Sequence, residues 1–256
     1  MSSSVAVLFG ICSLLALTLV FLTMSFLSAP PRKPFVARGS RITRCERCLL
    51  PQVRCICEYR VEIEAQARFW LLTHRNETYK PTNTGRLILD TIAQSRAFTW
   101  SRTEPEPDLL KQLANPGLDP YLVFPAAPDY DQRMVEFEPK PGREPVFIIL
   151  DGTWRQARRM FRHSRYLDQV PVIEPRTQRQ TRYDLRTQAQ DHHLCTCEVA
   201  AALLEQIGDA ASAEVLDAYF EVFNEYYHAS RRTRPMSDLA APKQRLAEAR
   251  AQALKS

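Results

Sequence analysis

Four cysteines fall within thirteen residues, Cys45, Cys48, Cys55 and Cys57. Thiols this close can converge on one tetrahedral ion, and a soft, filled donor set with no redox partner in view points to structural zinc. A pair of disulfides is the competing arrangement, and a reducing compartment disfavours it. A second candidate is Asp151, directly after the apolar run Val146-Phe147-Ile148-Ile149-Leu150, with Gly152 permitting a turn and Thr153-Trp154 opening a helical pattern. Ligands of open α/β sheets bind at the carboxyl ends of strands, so a carboxylate there is placed for general-base work. The plainer reading is a helix cap. The third candidate is Tyr183-Asp184-Leu185-Arg186, followed by His192, His193, Cys195, Thr196, Cys197 and Glu198. Two His and two Cys invite a metal but lack separated ligand pairs. A helix start, capped by Cys195 or Thr196 with Glu198 reaching back, is the plainer account.

Charge supplies a further clue through its placement. Lys and Arg outnumber Asp and Glu by 34 to 29, a net charge of only +5. Yet nine Arg lie between Arg155 and Arg186, against Asp168, Glu174 and Asp184. Arg155, Arg158, Arg159, Arg162 and Arg165 fall at helical spacings on or near one face. Such a face suits a polyanion such as RNA, or is simply solvated.

These groups need a scaffold, and the apolar patterning supplies one. The chain of 256 residues can bury one good core. Segments 68–72, 121–124 and 146–150 read as strands, with a further strand near 170–173. Segments 85–92, 153–161, 198–207 and 213–227 read as helices. Their alternation predicts a mostly parallel α/β sheet with helices on both faces. Residues 230–256 read as a polar, Arg- and Ala-rich tail, frayed or helical. At the other end, the first 31 residues carry no charge, and 5–27 is apolar enough for a transmembrane helix. Residues 30–44 form a basic linker whose Arg and Lys would keep the body from Cys45 onward in the cytoplasm. No heptad seam decides an oligomeric state.

Several stretches, taken in order, carry a resemblance. They are Cys45-Glu46-Arg47-Cys48-Leu49 with Cys55-Ile56-Cys57, Pro81-Thr82-Asn83-Thr84-Gly85-Arg86-Leu87, Asp151-Gly152-Thr153-Trp154-Arg155-Gln156-Ala157, Tyr183-Asp184-Leu185-Arg186, and Thr196 with Glu198. Together they make residues 45–228 resemble the DTW-domain tRNA-uridine aminocarboxypropyltransferases, relatives of the SPOUT methyltransferases. The resemblance implies a knotted α/β fold that holds S-adenosylmethionine in its C-terminal loops. It also implies transfer of the 3-amino-3-carboxypropyl group to N3 of a tRNA uridine, with methylthioadenosine released. Asp151 would be the base, or would hold the amino group of the cofactor. Thr153, Trp154, Arg86, Tyr183, Arg186, Thr196 and Glu198 would line the cofactor pocket, with Trp154 offering a stacking face and the arginines after it a phosphate track. The chain departs from the family pattern at Cys195-Thr196, where Ser-Thr is common, and at Pro125-Ala126-Ala127, where Pro-Ser-Glu is common. An RNA methyltransferase, a non-catalytic zinc-knuckle RNA-binding protein and a membrane adaptor are the alternative readings.

Overall fold

A computed structural model describes residues 42–183, 194–232 and 239–255. The apolar run 5–27, most of the 30–44 linker, Arg186, His192 and His193 lie outside the described residues. Among the described residues, no helix is long and apolar enough to cross a membrane.

The element order begins with strand β1 (Arg68–Thr73), helix α1 (Gly85–Thr91), β2 (Arg96–Thr99), α2 (Pro107–Leu113) and β3 (Leu118–Val123). It continues with β4 (Glu144–Asp151), α3 (Trp154–His163), β5 (Val172–Ile173), α4 (Thr196–Gln206), α5 (Ala210–Arg232) and α6 (Ala240–Ala253). The five strands form one sheet in the order β2-β1-β4-β3-β5, and every pairing is parallel. Parallel strands need crossover connections, which is why helices intervene. Pro120 is tolerated in β3 because β5 pairs only with Leu122 and Val123, leaving the earlier part of that edge open.

The period of two along the strands divides the core. Phe69, Leu71, Tyr121, Val123, Phe147 and Ile149 face one side, where they meet α1, α4 and α5 through Leu87, Leu203, Tyr219 and Phe223. Trp70, Leu72, Leu122, Val146, Ile148 and Leu150 face the other, against Leu109 of α2 and Ala157 and Met160 of α3. Gly208, at φ 89°, ends α4 in the left-handed region that glycine enters without a steric penalty.

Sequence and structure differ at the edges of this plan. The strand expected near 170–173 is only two residues long, and β2 and α2 have no counterpart in the sequence reading. Of the two forms expected for the tail, residues 240–253 take the helical one and pack on the domain: α6 buries Leu246 and Ala249, and Arg245 bonds Glu214 and Glu221 of α5.

Candidate active site

The chain leaves β1 and β4, neighbours in the sheet, toward opposite faces: α1 lies on one and α3 on the other. That divergence opens a crevice at their carboxyl ends, the usual ligand position of an open α/β sheet. The crevice is floored by Thr73 and Asp151, which are register partners.

Asp151 is buried. Its Oδ2 accepts from Asn83 Nδ2 at 2.7 Å and its Oδ1 from Thr196 Oγ1 at 3.0 Å. Its main-chain oxygen accepts from the His74 amide at 2.9 Å. Gly85, at the start of α1, presses against the carboxylate: a Cβ there would lie 3.1 Å from Cγ and from both oxygens. One carboxylate thus fastens the loop before α1 and the start of α4 to the end of β4.

The residues after it start a helix for a local reason. Thr153 is the N-cap of α3 and forms a capping box with Gln156. Gln156 Oε1 accepts from the Thr153 amide at 2.7 Å and hydroxyl at 2.8 Å. Trp154 is one of the few exposed large apolar side chains, at 37 %. Its ring lies edge-on to Phe124, which stacks on Phe161 at 4.3 Å. Arg155, Arg158, Arg159 and Arg162 are exposed on α3, opposite Ala157 and Met160, and Arg165 is exposed in the turn that follows. None of the five forms a salt bridge with a described acidic side chain.

Glu198 is buried on α4 and accepts from Cys195 N at 2.8 Å, Arg182 N at 2.6 Å and Thr181 Oγ1 at 2.7 Å. Cys195 is the N-cap and Glu198 reaches back to its amide, one of the two helix starts expected from the sequence, so α4 begins at Thr196. Tyr183 donates its hydroxyl to the Thr82 carbonyl, and the Cys197 amide bonds Thr84 Oγ1 at 3.4 Å. Arg86 gives its donors to the carbonyls of Asn83, Arg47, Thr78 and Lys80. It therefore fastens the loop to the cysteine segment, and burial draws its guanidinium below the ordinary arginine value.

The four cysteine sulfurs all lie within 4.8 Å of one another. Cys45 Sγ to Cys57 Sγ is 3.6 Å, and Cys48 Sγ to Cys55 Sγ is 3.8 Å. These spacings exceed a disulfide bond and match the edge, about 3.8 Å, of a tetrahedron with metal–sulfur bonds of about 2.3 Å. Leu49 turns the segment through φ 59°, which brings the following carbonyl, that of Leu50, back to the Cys45 amide at 2.9 Å. The main-chain amide of Cys48 lowers the Cys45 thiol to about 7, while burial pushes Cys48 and Cys57 up. A divalent cation would deprotonate all four. Cys48, Leu50 and Ile56 belong to the main core, so the segment is part of the domain. Among the described residues this is the one cluster able to hold a metal.

The structure thus links Asn83, Gly85 and Thr196 directly to Asp151 and ties Tyr183 to Thr82, with Thr153 and Trp154 following at the start of α3 and Glu198 two residues beyond Thr196 on α4. Sequence reasoning gave no role to Asn83 or Gln156, although both stand in the stretches that carry the resemblance, and it passed over His74. His74 follows a buried parallel strand as Asp151 ends one, and that shared position was the available signal.

A family model described as the DTW domain matches residues 42–228. A curated relative, tRNA-uridine aminocarboxypropyltransferase 2 of Macaca fascicularis, is 24 % identical over 178 residues, which cover 66 % of this chain and 58 % of the relative. The chain therefore spans less than two thirds of the length of that relative. No solved structure matches. With the family model covering most of the chain and its central motif standing at the crevice, the chain belongs to the DTW domain family.

Proposed function

We propose that this protein transfers the 3-amino-3-carboxypropyl group of S-adenosylmethionine to N3 of a uridine in tRNA, releasing methylthioadenosine. The observation that carries the reading is the convergence of the separated segments of a DTW domain on Asp151, at the crevice between β1 and β4. The catalytic domain is assigned to residues 45–228, with a SPOUT-like knotted path, and zinc to the four thiolates. The apolar run 5–27 is assigned as a tether, with the basic residues behind it keeping the domain in the cytoplasm.

S-adenosylmethionine supplies an electrophilic carbon next to its sulfonium. The residues of the chain do the rest. Asp151 accepts the N3 proton as the N3–carbon bond forms and the carbon–sulfur bond breaks, its electron pair leaving on sulfur. Asn83 and Thr196 fix the plane of that carboxylate with one bond to each oxygen. Thr153, Arg86, Tyr183 and Glu198 hold the main chain of the pocket walls in place. Arg186 is assigned to the carboxylate of the cofactor, which suits a planar guanidinium. Trp154 offers its face to an unstacked base, and the five arginines from Arg155 to Arg165 track the phosphates.

The test is mass spectrometry of nucleosides from unmodified tRNA incubated with the full chain and S-adenosylmethionine, alongside Asp151→Asn. A uridine that gains the aminocarboxypropyl mass, with methylthioadenosine released and the variant at least about a hundredfold slower, supports the reading. A methylated base with S-adenosylhomocysteine replaces it with a methyltransferase. Tight tRNA binding without product replaces it with a binding module.

A further inference from the structure

His74 is half-buried directly beyond β1, and its amide is bonded to the carbonyl of Asp151. Its ring stacks on Trp100, with centroids 5.9 Å apart and planes at 20°. The neighbouring hydrogen bonds determine which ring nitrogen carries the proton. Gln156 Oε1 is held by the amide and hydroxyl of Thr153, so the amide group of Gln156 has one orientation. Its Nε2 then donates to His74 Nδ1, at 3.1 Å. The Asn76 amide also points at Nδ1, from 3.3 Å. A nitrogen that receives two donors carries a lone pair, so the neutral ring holds its proton on Nε2. Burial favours the neutral form most, and the charges of Arg75, Lys80 and Arg159 add to it against Glu77. Among the described residues, Nε2 has no hydrogen-bond partner.

We propose that His74 contacts the substrate, its Nε2–H donating to a carbonyl oxygen of the uracil ring beside the reacting N3. This rests on the functional reading above. When N3 gives up its proton, charge spreads onto the flanking oxygens, and a fixed neutral donor stabilises that charge without reorganising. His74 itself neither gains nor loses a proton: the N3 proton goes to Asp151 and the leaving electron pair to sulfur. Thr153 and Gln156 act behind it as positioning residues, which gives the threonine of the central motif a task beyond capping its helix.

Gln156→Glu provides the discriminating test. The carboxylate keeps the capping box, since it still accepts from Thr153, and keeps the imidazole in place. It cannot donate to Nδ1, so the neutral ring takes its proton there and loses the Nε2–H; because a carboxylate also favours the imidazolium, both readings are made at a pH where nitrogen NMR shows the ring neutral. Nitrogen NMR on the full chain reads the tautomer, thermal unfolding reads the fold, and steady-state kinetics reads the reaction. Expected are a wild-type ring protonated on Nε2, a variant protonated on Nδ1, an unchanged unfolding midpoint, and a turnover lower by about a hundredfold with the KM for S-adenosylmethionine retained. His74→Gln, which can return an N–H to the Nε2 position, should restore part of the turnover that His74→Ala loses. A wild-type ring protonated on Nδ1 would overturn the proposal, as would a Gln156→Glu turnover within twofold of wild type despite a reversed tautomer. A wild-type chain with no transfer to uridine defeats the functional reading first, and the ligand assigned to His74 falls with it.

Discussion

A methyl group on Gly85 would sit 3.1 Å from three atoms of the Asp151 carboxylate, close enough that one side must give by a few tenths of an ångström. The carboxylate resists, because Asn83 and Thr196 each hold one oxygen. Gly85→Ala also gains about 0.5–1 kcal/mol of helix preference at the start of α1, which offsets much of the crowding. The expected outcome is a stability change below about 1 kcal/mol with turnover reduced at least about tenfold, since small displacements of reacting groups are costly. Unfolding midpoints and initial rates of the variant check this, and an unchanged rate would show that the position of the carboxylate is not critical. Asp151 was legible as a carboxylate at the end of an apolar strand, although a helix cap was the plainer reading of that junction until the motif around it carried the resemblance. Asn83 was not legible. Between Thr82 and Thr84 it reads as an ordinary turn residue, and its partner lies 68 positions away. Arg86 shows the opposite limit: the resemblance offered it to the cofactor, and four main-chain carbonyls take its donors here.

Helix α3 divides its two faces cleanly. Ala157 and Met160 are buried, and Arg155, Arg158, Arg159 and Arg162 are exposed. Truncating exposed arginines therefore leaves the packing alone. The double variant Arg158→Ala, Arg162→Ala is expected to weaken tRNA binding about equally for all sequences, and to lower the slope of log affinity against log salt by about one for each phosphate no longer neutralised. Fluorescence anisotropy at several salt concentrations checks this, and an unchanged slope would return that face to plain solvation. The helical pattern after Asp151 made α3 legible, as continuous apolar runs did β1 and β4, whereas its capping box of Thr153 and Gln156 went unread. Strand β2 was not, because only Phe98 of its four residues is buried and an edge strand with one buried position leaves no alternation to read. Helix α6 was legible only as a frayed or helical tail, because its buried face is no more than Pro242, Leu246 and Ala249, while its attachment runs through Arg245.

In the molecule as a whole, the cysteine segment joins elements from distant parts of the chain. Arg60 pairs with Asp90 at 2.6 Å, and Asp90 also accepts from Tyr219 of α5 at 3.3 Å. The Tyr226 hydroxyl meets that of Tyr59 at 2.9 Å. Since Cys48, Leu50 and Ile56 lie in the main core, opening the segment exposes that core. Chelation, or Cys48→Ser, is expected to remove one equivalent of zinc and to cost about 3 kcal/mol or more of stability in a single cooperative transition. Metal analysis together with thermal scans tests this, and a zinc-free protein of full stability would remove the metal from the fold. The bonds that assemble the crevice have a kinetic consequence. They join residues 45, 68, 101 and 113 positions apart. Closing such loops costs entropy before any pairing returns it, so bonds of this kind form late in folding. The crevice is therefore a product of the finished topology, as is the sheet beneath it, whose β1 and β4 are farther apart in sequence than Asn83 and Asp151; until α4 docks, Asp151 is without Thr196.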